Sequence, residues 1–440
     1  MSSGKPGDLV EMSARDAVTR IRELALSPVA LTEALLARIK AVEPAVLAWV
    51  HLDEAGALAA AREREAEAQQ GKIRGPLHGV AVGIKDIIHV AGMPTRAGAK
   101  AFAHSKPSED APSVARLRAA GAIILGKTHT TQFAYRDPSP ARNPWNGKHT
   151  PGGSSSGSAA AVAARMVPLA LGTQTVGSVL RPAAYCGVIG LKGTHGLVPA
   201  DGVIPLAWSL DHVGAFARSV EDAALLLGVM AARTFDVRPP AAPRLAVATD
   251  LIARAEGGLA KQLAASLDAF ARGGAKLTEV KLPASFGALA AASQRVLEAE
   301  AAAYHDRQFA AHAADYGDAF RELVQTGRPH SAISYIEANR VRLQFRDDVT
   351  PLLAEYDALL SPTAPGPAPE GLAWTGDASL CAPWSSAGAP SISLPTGVGA
   401  EGLPYAIQLS GAAGSEARLL GAAAWCERIL GFSGAPACSI

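Results

Sequence analysis

The chain has few cysteines and no paired ones. Its 440 residues include Cys186, Cys381, Cys426 and Cys438, widely spaced and without a CxxC pair. A disulfide framework and a zinc site are therefore not expected, and a reducing, cytoplasmic setting is. No excess of charge of one sign appears either: 41 basic residues face 40 acidic ones, for a net charge of +1. No basic stripe or acidic tail argues for nucleic acid or for an anionic membrane surface, and neither is expected as a partner. Long hydrophobic runs are also missing. No charge-free stretch reaches the ~18 residues of a membrane span. The alanine-rich segment Leu297–Ala314 is broken by Glu298, Glu300, His305, Asp306, Arg307 and His312. Met1-Ser-Ser-Gly-Lys-Pro-Gly-Asp8 has no apolar centre, so no secretory signal is expected. No His-Glu-x-x-His cluster occurs, and the glycine-rich loop at 152–157 lacks the Lys-Ser/Thr ending of a phosphate loop. No metal and no cofactor are expected.

What is present is apolar: 49% hydrophobic against 18% charged residues, enough for a large core. Length alone suggests two or three domains. The pattern of elements suggests one. In the first 72 residues helical spacing dominates. Leu31, Leu35, Ile39 and Val42 share a face, Pro44 is expected to end that helix, and Ala55–Gln70 is a second helix. This helical N-terminal segment is a candidate dimerisation element. From about residue 77 strands alternate with helices. Gly79–Ile84 reads as a short buried strand ending at Lys85 and Asp86; helix Ala111–Ala120 and strand Ala122–Leu125 follow; Ser158–Met166 reads as a helix and Pro168–Gly172 as a strand. Ser219-Val-Glu-Asp222 resembles a capping box opening a helix to about Ala232. Phe235–Pro243, rich in proline, reads as a connector. Strand Arg244–Thr249, helix Leu259–Ala271, strand Ala275–Leu282 and helical pattern to about Arg346 follow, then apolar segments at Tyr356–Pro362, Pro390–Pro395 and Tyr405–Leu409 and a helix over Glu416–Ile429. The expected fold is α/β: a central mixed, largely parallel sheet covered by helices on both faces. The expected organisation is a single domain over 1–440, with a core at 77–234, a variable, mostly helical segment at 235–350 and a return to the core at 351–440.

The chemistry-bearing residues lie in three places: Gly83-Ile-Lys-Asp86, Thr150-Pro-Gly-Gly-Ser-Ser-Ser-Gly-Ser158 and Gly172-Thr-Gln-Thr-Val-Gly-Ser-Val-Leu-Arg-Pro182. An amide carbon is a poor electrophile, so its hydrolysis needs an activated nucleophile, an oxyanion stabiliser and a proton donor for the amine. A glycine-flanked serine turn can supply the first two, with consecutive backbone N–H groups of Thr175, Val176, Gly177 and Ser178 aimed at one point. Taken singly, each residue has a plainer reading: a serine-capped turn, or a surface lysine paired with Asp86.

Together these residues resemble the amidase signature family of serine amide hydrolases, from the strand near Leu77 to Gly402-Leu-Pro-Tyr-Ala-Ile-Gln-Leu-Ser-Gly411. The resemblance implies Ser178 as nucleophile, Ser154 as a bridging serine on a cis peptide after Gly153, and Lys85 as general base. For that role Lys85 must be neutral, which burial favours by lowering its pKa. Ser155 and Ser156 read mainly as caps of the following helix, with Ser155 also able to hydrogen-bond within the site. Two positions depart from the family pattern. Val176 stands where glycine is frequent, and Gln174 where aspartate is, which questions the support of the turn. A Ser-His-Asp triad drawing on His195 and Asp211 is disfavoured: Ser178 lacks a Gly-x-Ser-x-Gly elbow, and Gly193-Thr-His-Gly196 gives His195 a structural place.

Arg181 follows the nucleophile by three residues, whereas many members carry their arginine where this chain has Leu180. This arrangement resembles malonamidase-like members, in which that arginine grips a substrate carboxylate, a group its planar fork fits. The alternative is a structural arginine. The expected function is hydrolysis of the carbon–nitrogen bond of a small amide, with or without a carboxylate, through a Ser-Ser-Lys triad and an acyl-enzyme. The alternative is the amidase-type subunit of a glutamine-dependent amidotransferase, which passes ammonia to a partner protein.

Overall fold

The apolar runs form strands, most of them buried along their whole length. In this computed structural model, which describes residues 5–238 and 242–438, the strands are β1 (Trp49–Leu52), β2 (Ala81–Lys85), β3 (Ile123–Thr128), β4 (Leu169–Gln174), β5 (Ile189–Lys192), β6 (His212–Ala217), β7 (Arg244–Ala248), β8 (Lys276–Val280), β9 (Ala358–Pro362), β10 (Ser391–Val398) and β11 (Pro404–Ser410). They form one 11-stranded sheet in the order β1-β3-β2-β4-β6-β5-β10-β11-β9-β7-β8. Every residue of β2, β3, β4, β5, β6, β9 and β11 is buried. Successive strand side chains point to opposite faces, so both faces of the sheet are covered.

The sheet is mixed, as expected, and its parallel pairing falls in two blocks. β3, β2 and β4 run parallel on one side, β9, β7 and β8 on the other. Between them the pairings through β6, β5, β10 and β11 are antiparallel, and β1 closes one edge antiparallel to β3. Connections account for this. Parallel neighbours need a crossover, supplied by helices Pro112–Ala119 before β3, Ser156–Ala163 before β4 and Gly257–Arg272 before β8. β10 and β11 meet through a short turn and need none.

Three features differ from the sequence reading. Helix Pro28–Val46 runs through Pro44. The proline sits in the last turn, where one lost hydrogen bond is tolerable, and the helix ends instead at Leu47, in the left-handed conformation. Strands β1, β5 and β6 have no clear signal in the sequence: β1 and β5 are only 4 residues long, and β6, His-Val-Gly-Ala-Phe-Ala, is half glycine and alanine, which strands disfavour. The helical pattern up to about Arg346 is three helices, Phe286–His312, Asp318–Gly327 and Ala332–Glu355. The segment 235–350 also adds β7 and β8 to the common sheet. Of the connector at Phe235–Pro243, residues 239–241 lie outside the described residues, as do 1–4 of the N-terminus.

Leu31, Leu35, Ile39 and Val42 are buried in the chain's own core, which leaves that face no part in a dimer. All four cysteines are buried and unpaired. Among the described residues no helix is long and apolar enough to cross a membrane.

Candidate active site

Lys85 ends β2, and parallel pairing of β2 with β4 brings it beside Thr173. Its Nζ donates to Ser154 Oγ at 2.7 Å and to Thr173 Oγ1 at 2.7 Å. The side chain has no exposed surface. Burial pushes its pKa well below the ordinary lysine value, and the charge of Asp211 opposes the shift only in part. The plainer reading, Lys85 paired with Asp86, does not hold. Asp86, in the turn that follows β2, instead pairs with buried Lys127 at 3.0 Å.

The loop before helix Ser156–Ala163 supplies the second part of the site. The Gly153–Ser154 peptide is cis, and Ser154 is 1% exposed. Ser155 occupies the N-cap position, but its hydroxyl caps nothing. It donates to the Thr173 carbonyl at 3.1 Å and accepts from the Thr173 amide at 3.2 Å. Both Thr173 groups lie beyond the last β2–β4 pair, so Ser155 satisfies them where the sheet no longer does. Ser156 is no cap either: its hydroxyl donates back to the Gly152 carbonyl. The Ser155 amide also donates to the Ser178 carbonyl at 3.4 Å, joining the two serine loops. Gly172 is required here, since a Cβ on it would come within 2.7 Å of Ser155 Oγ.

Beyond β4 the chain turns through Thr175, Val176, Gly177 and Ser178 into helix Leu180–Cys186. All four turn residues line one cavity of about 650 Å³. Among the described residues, Ser178 Oγ and the amides of Val176, Gly177 and Ser178 make no hydrogen bond. A hydroxyl and unpaired N–H groups beside one cavity can attack a carbonyl and hold the resulting oxyanion. The turn has its own supports. Gln174 Oε1 accepts from the amides of Val179 (2.8 Å) and Leu180 (3.0 Å), while its Nε2 donates to Ser385 Oγ. Ser385 in turn donates to the Val176 carbonyl at 2.8 Å. Glutamine thus braces the turn at the position where the family frequently has aspartate. On the other side Thr175 Oγ1 donates to Asp211 at 2.5 Å, and Asp211 accepts from the amides of Leu206 and Ala207. Burial raises the Asp211 pKa to about 6, against these hydrogen bonds.

Arg181 is buried beside the same cavity. Its Nη1 donates to the Gly376 carbonyl at 2.5 Å and its Nη2 to the Gly153 carbonyl at 2.6 Å, while Nε has no partner among the described residues. No carboxylate pairs with it among them, and burial lowers its pKa. The guanidinium thus holds two loops at the site and makes no ion pair, with the charge of Asp377 acting on it from the same cavity wall. The cavity walls come partly from residues 286–297 and 374–386.

His195 and Asp211 do not form a triad with Ser178. Asp211 bonds the groups named above, and His195 is exposed with Nε2 at 3.3 Å from the Trp208 carbonyl. Sequence reasoning missed Thr173 and Ser385, and it weighed Asp211 only as a triad member, not as the brace of Thr175. Thr173 gave no local signal: it lies one residue past the strand read at Pro168–Gly172, and its meeting with Lys85 depends on how β2 pairs with β4. Asp211 and Ser385 come from distant segments and carried none. Among the described residues no group of three His, Cys, Asp or Glu side chains is placed to hold a metal ion.

This fold and this site put the protein in the class of amide-hydrolysing enzymes. The chain belongs to the Amidase family, whose model matches residues 30–420. It is 36% identical to the glutamyl-tRNA(Gln) amidotransferase A-subunit of Roseiflexus castenholzii, over 90% of this chain and 91% of that protein. Among solved structures it resembles a crystal structure of an amidase, with TM-score 0.89 and 32% identity over 95% of this chain and 99% of that one. It also resembles the peptide amidase PAM in complex with the competitive inhibitor chymostatin, with TM-score 0.85 and 32% identity over 97% of this chain and 99% of that one.

Proposed function

We propose that the protein hydrolyses the carbon–nitrogen bond of a small, carboxylate-bearing amide through an acyl-enzyme on Ser178. The observation that carries this is buried Lys85 with its Nζ at 2.7 Å from Ser154 Oγ, a lysine whose surroundings favour the neutral, proton-accepting form. Ser178 Oγ bonds to the amide carbon as its proton passes to Ser154 and that of Ser154 to Lys85. The carbonyl electrons move onto oxygen, where the amides of Val176, Gly177 and Ser178 receive them, with Thr175 positioned by Asp211. The C–N bond then breaks as the proton returns through Ser154 to the leaving amine. Water repeats the sequence on the ester and frees Ser178. Arg181, buried without a carboxylate partner, receives that of the substrate. Ser155 keeps Thr173 and the cis-peptide loop in register.

A second reading makes the chain the amidase-type subunit of a glutamine-dependent amidotransferase, and the name carried by its curated relatives favours it. Glutamine is itself a carboxylate-bearing amide, so both readings use the site alike and differ in where ammonia goes. The test measures ammonia release from glutamine and from short carboxylated amides, by the isolated chain and by the chain co-expressed with the other amidotransferase subunits. Turnover by the isolated chain supports a free-standing amidase. Glutaminase activity that appears only with those subunits supports the second reading. Activity retained in Ser178→Ala rejects the mechanism common to both.

A further inference from the structure

The mouth of the cavity carries charge that chemistry at Ser178 does not require. Arg136 and Arg254 both line the cavity and both are exposed. Neither forms an ion pair or a side-chain hydrogen bond among the described residues. Each guanidinium lies over an aromatic ring that also lines the cavity: Arg136 at 5.2 Å from the Tyr135 centroid, Arg254 at 5.8 Å from that of Phe286. A ring face orients a cation while leaving its N–H edges open to an anion.

The loop carrying Arg136 is fixed on both sides. Phe133 is fully buried, with ring centroids at 4.5 Å from His305 and 4.8 Å from Phe320. Asp137 accepts from the amides of Ala319 and Phe320 at the start of helix Asp318–Gly327. Inside the mouth the wall is apolar, through Leu206, Leu210, Leu289 and Leu297. Asp377 is the one acidic residue among the described lining residues, against Arg136, Arg181 and Arg254. Burial chiefly lowers the Arg181 pKa; the charge of Asp377 opposes the shift in part, and that of Arg136 adds to it. Gathered like charges are unfavourable until an anion enters between them.

We propose that this cavity selects amides with two anionic ends: a carboxylate near the scissile bond at Arg181, an apolar body along the wall, and a second anionic group at the mouth held by Arg136 and Arg254. The proposal rests on the amidase reading of the site and names its substrate class.

The probes are N-benzoyl-glutamine and N-(4-carboxybenzoyl)-glutamine, which share the side-chain amide and the proximal carboxylate and differ by the distal charge. Their dissociation constants are measured by calorimetry on Ser178→Ala protein, so turnover does not enter. The carboxylated compound is expected to bind roughly threefold to thirtyfold more tightly than the neutral one. Adding Arg136→Gln and Arg254→Gln brings that ratio toward one, as does raised salt. A ratio near one in the parent protein, a ratio that survives both substitutions, or binding of neither compound overturns the proposal. The amidase reading is judged separately, by ammonia release from short amides in the wild-type enzyme. Hydrolysis there with a flat binding ratio removes the mouth selectivity alone.

Discussion

Lys85 Nζ donates to Ser154 Oγ at 2.7 Å from a side chain with no exposed surface, and the acid whose charge acts on it is Asp211. An amine so placed is easier to keep neutral than a surface lysine, and a neutral amine can accept a proton. The acid limb of kcat/KM is therefore expected well below the ordinary lysine value of about 10.4, with activity lost as pH falls through it. The limb belongs to the coupled Lys–Ser–Ser unit. Lys85→Ala removes most activity at every pH. A limb near pH 10.4 in the wild type sinks the assignment of Lys85 as base.

The same lowered pKa has a consequence for stability. Between the folded value of Lys85 and about 10.4, the unfolded chain binds one more proton than the folded one, so stability rises with pH across that window. Lys85→Met removes the cost of burying the amine. Its melting temperature is expected to exceed that of the wild type most at the low end of the window, with the gap closing as pH approaches about 10.4. A gap that does not change with pH contradicts the depressed pKa.

Ser178→Ala should reduce turnover by at least about 1000-fold while leaving the fold intact. The hydroxyl makes no hydrogen bond among the described residues, so its removal leaves no buried partner unsatisfied. Circular dichroism and thermal melting check the fold, and ammonia release checks the activity. Wild-type-like turnover ends the proposal for Ser178.

Gln174 separates support of the turn from chemistry. Gln174→Ala leaves the Val179 and Leu180 amides without the acceptor they share, at a cost of about 1–3 kcal/mol for each unsatisfied group. Gln174→Glu keeps an acceptor for both amides and loses the donation to Ser385. The expected order of stability in denaturant unfolding is wild type, then Glu, then Ala, with activity following it. An alanine variant as stable as wild type shows that the turn is held by other contacts.

Much of this site is legible in the sequence because its parts lie in short contiguous stretches. Lys85, Ser154 and Ser178 each sit in a glycine-bounded segment whose backbone form follows from local residue type. The fold class is readable for a similar reason, since apolar runs alternate with helical spacing from residue 77 onward. Other contacts depend on the sheet order, which local pattern does not encode. Asp211 reaches Thr175 only because β6 inserts between β4 and β5, and Ser385 reaches Gln174 from more than 200 positions away. Ser155 reads as a cap because the Thr173 peptide groups that compete for its hydroxyl come from β4. Arg136 and Arg254 look like ordinary surface residues until the fold brings both to one mouth.

Arg181 carries two roles that one substitution can separate. Its Nη groups hold the Gly376 and Gly153 carbonyls, so Arg181→Ala should slow every substrate by loosening the loop that bears Ser154. Its charge, unpaired with any carboxylate among the described residues, should matter only for an anionic substrate. Loss of a charge-assisted pair costs on the order of 2–4 kcal/mol in kcat/KM, roughly 30- to 1000-fold. The informative quantity is therefore a ratio: kcat/KM for a short carboxylated amide over that for its methyl ester, measured in wild type and in Arg181→Ala. If the guanidinium receives the carboxylate, wild type prefers the acid and the variant loses that preference, on top of a smaller loss common to both substrates. Equal losses on acid and ester leave Arg181 as a brace between the two loops, and its excess charge must then be balanced in some other way than by substrate.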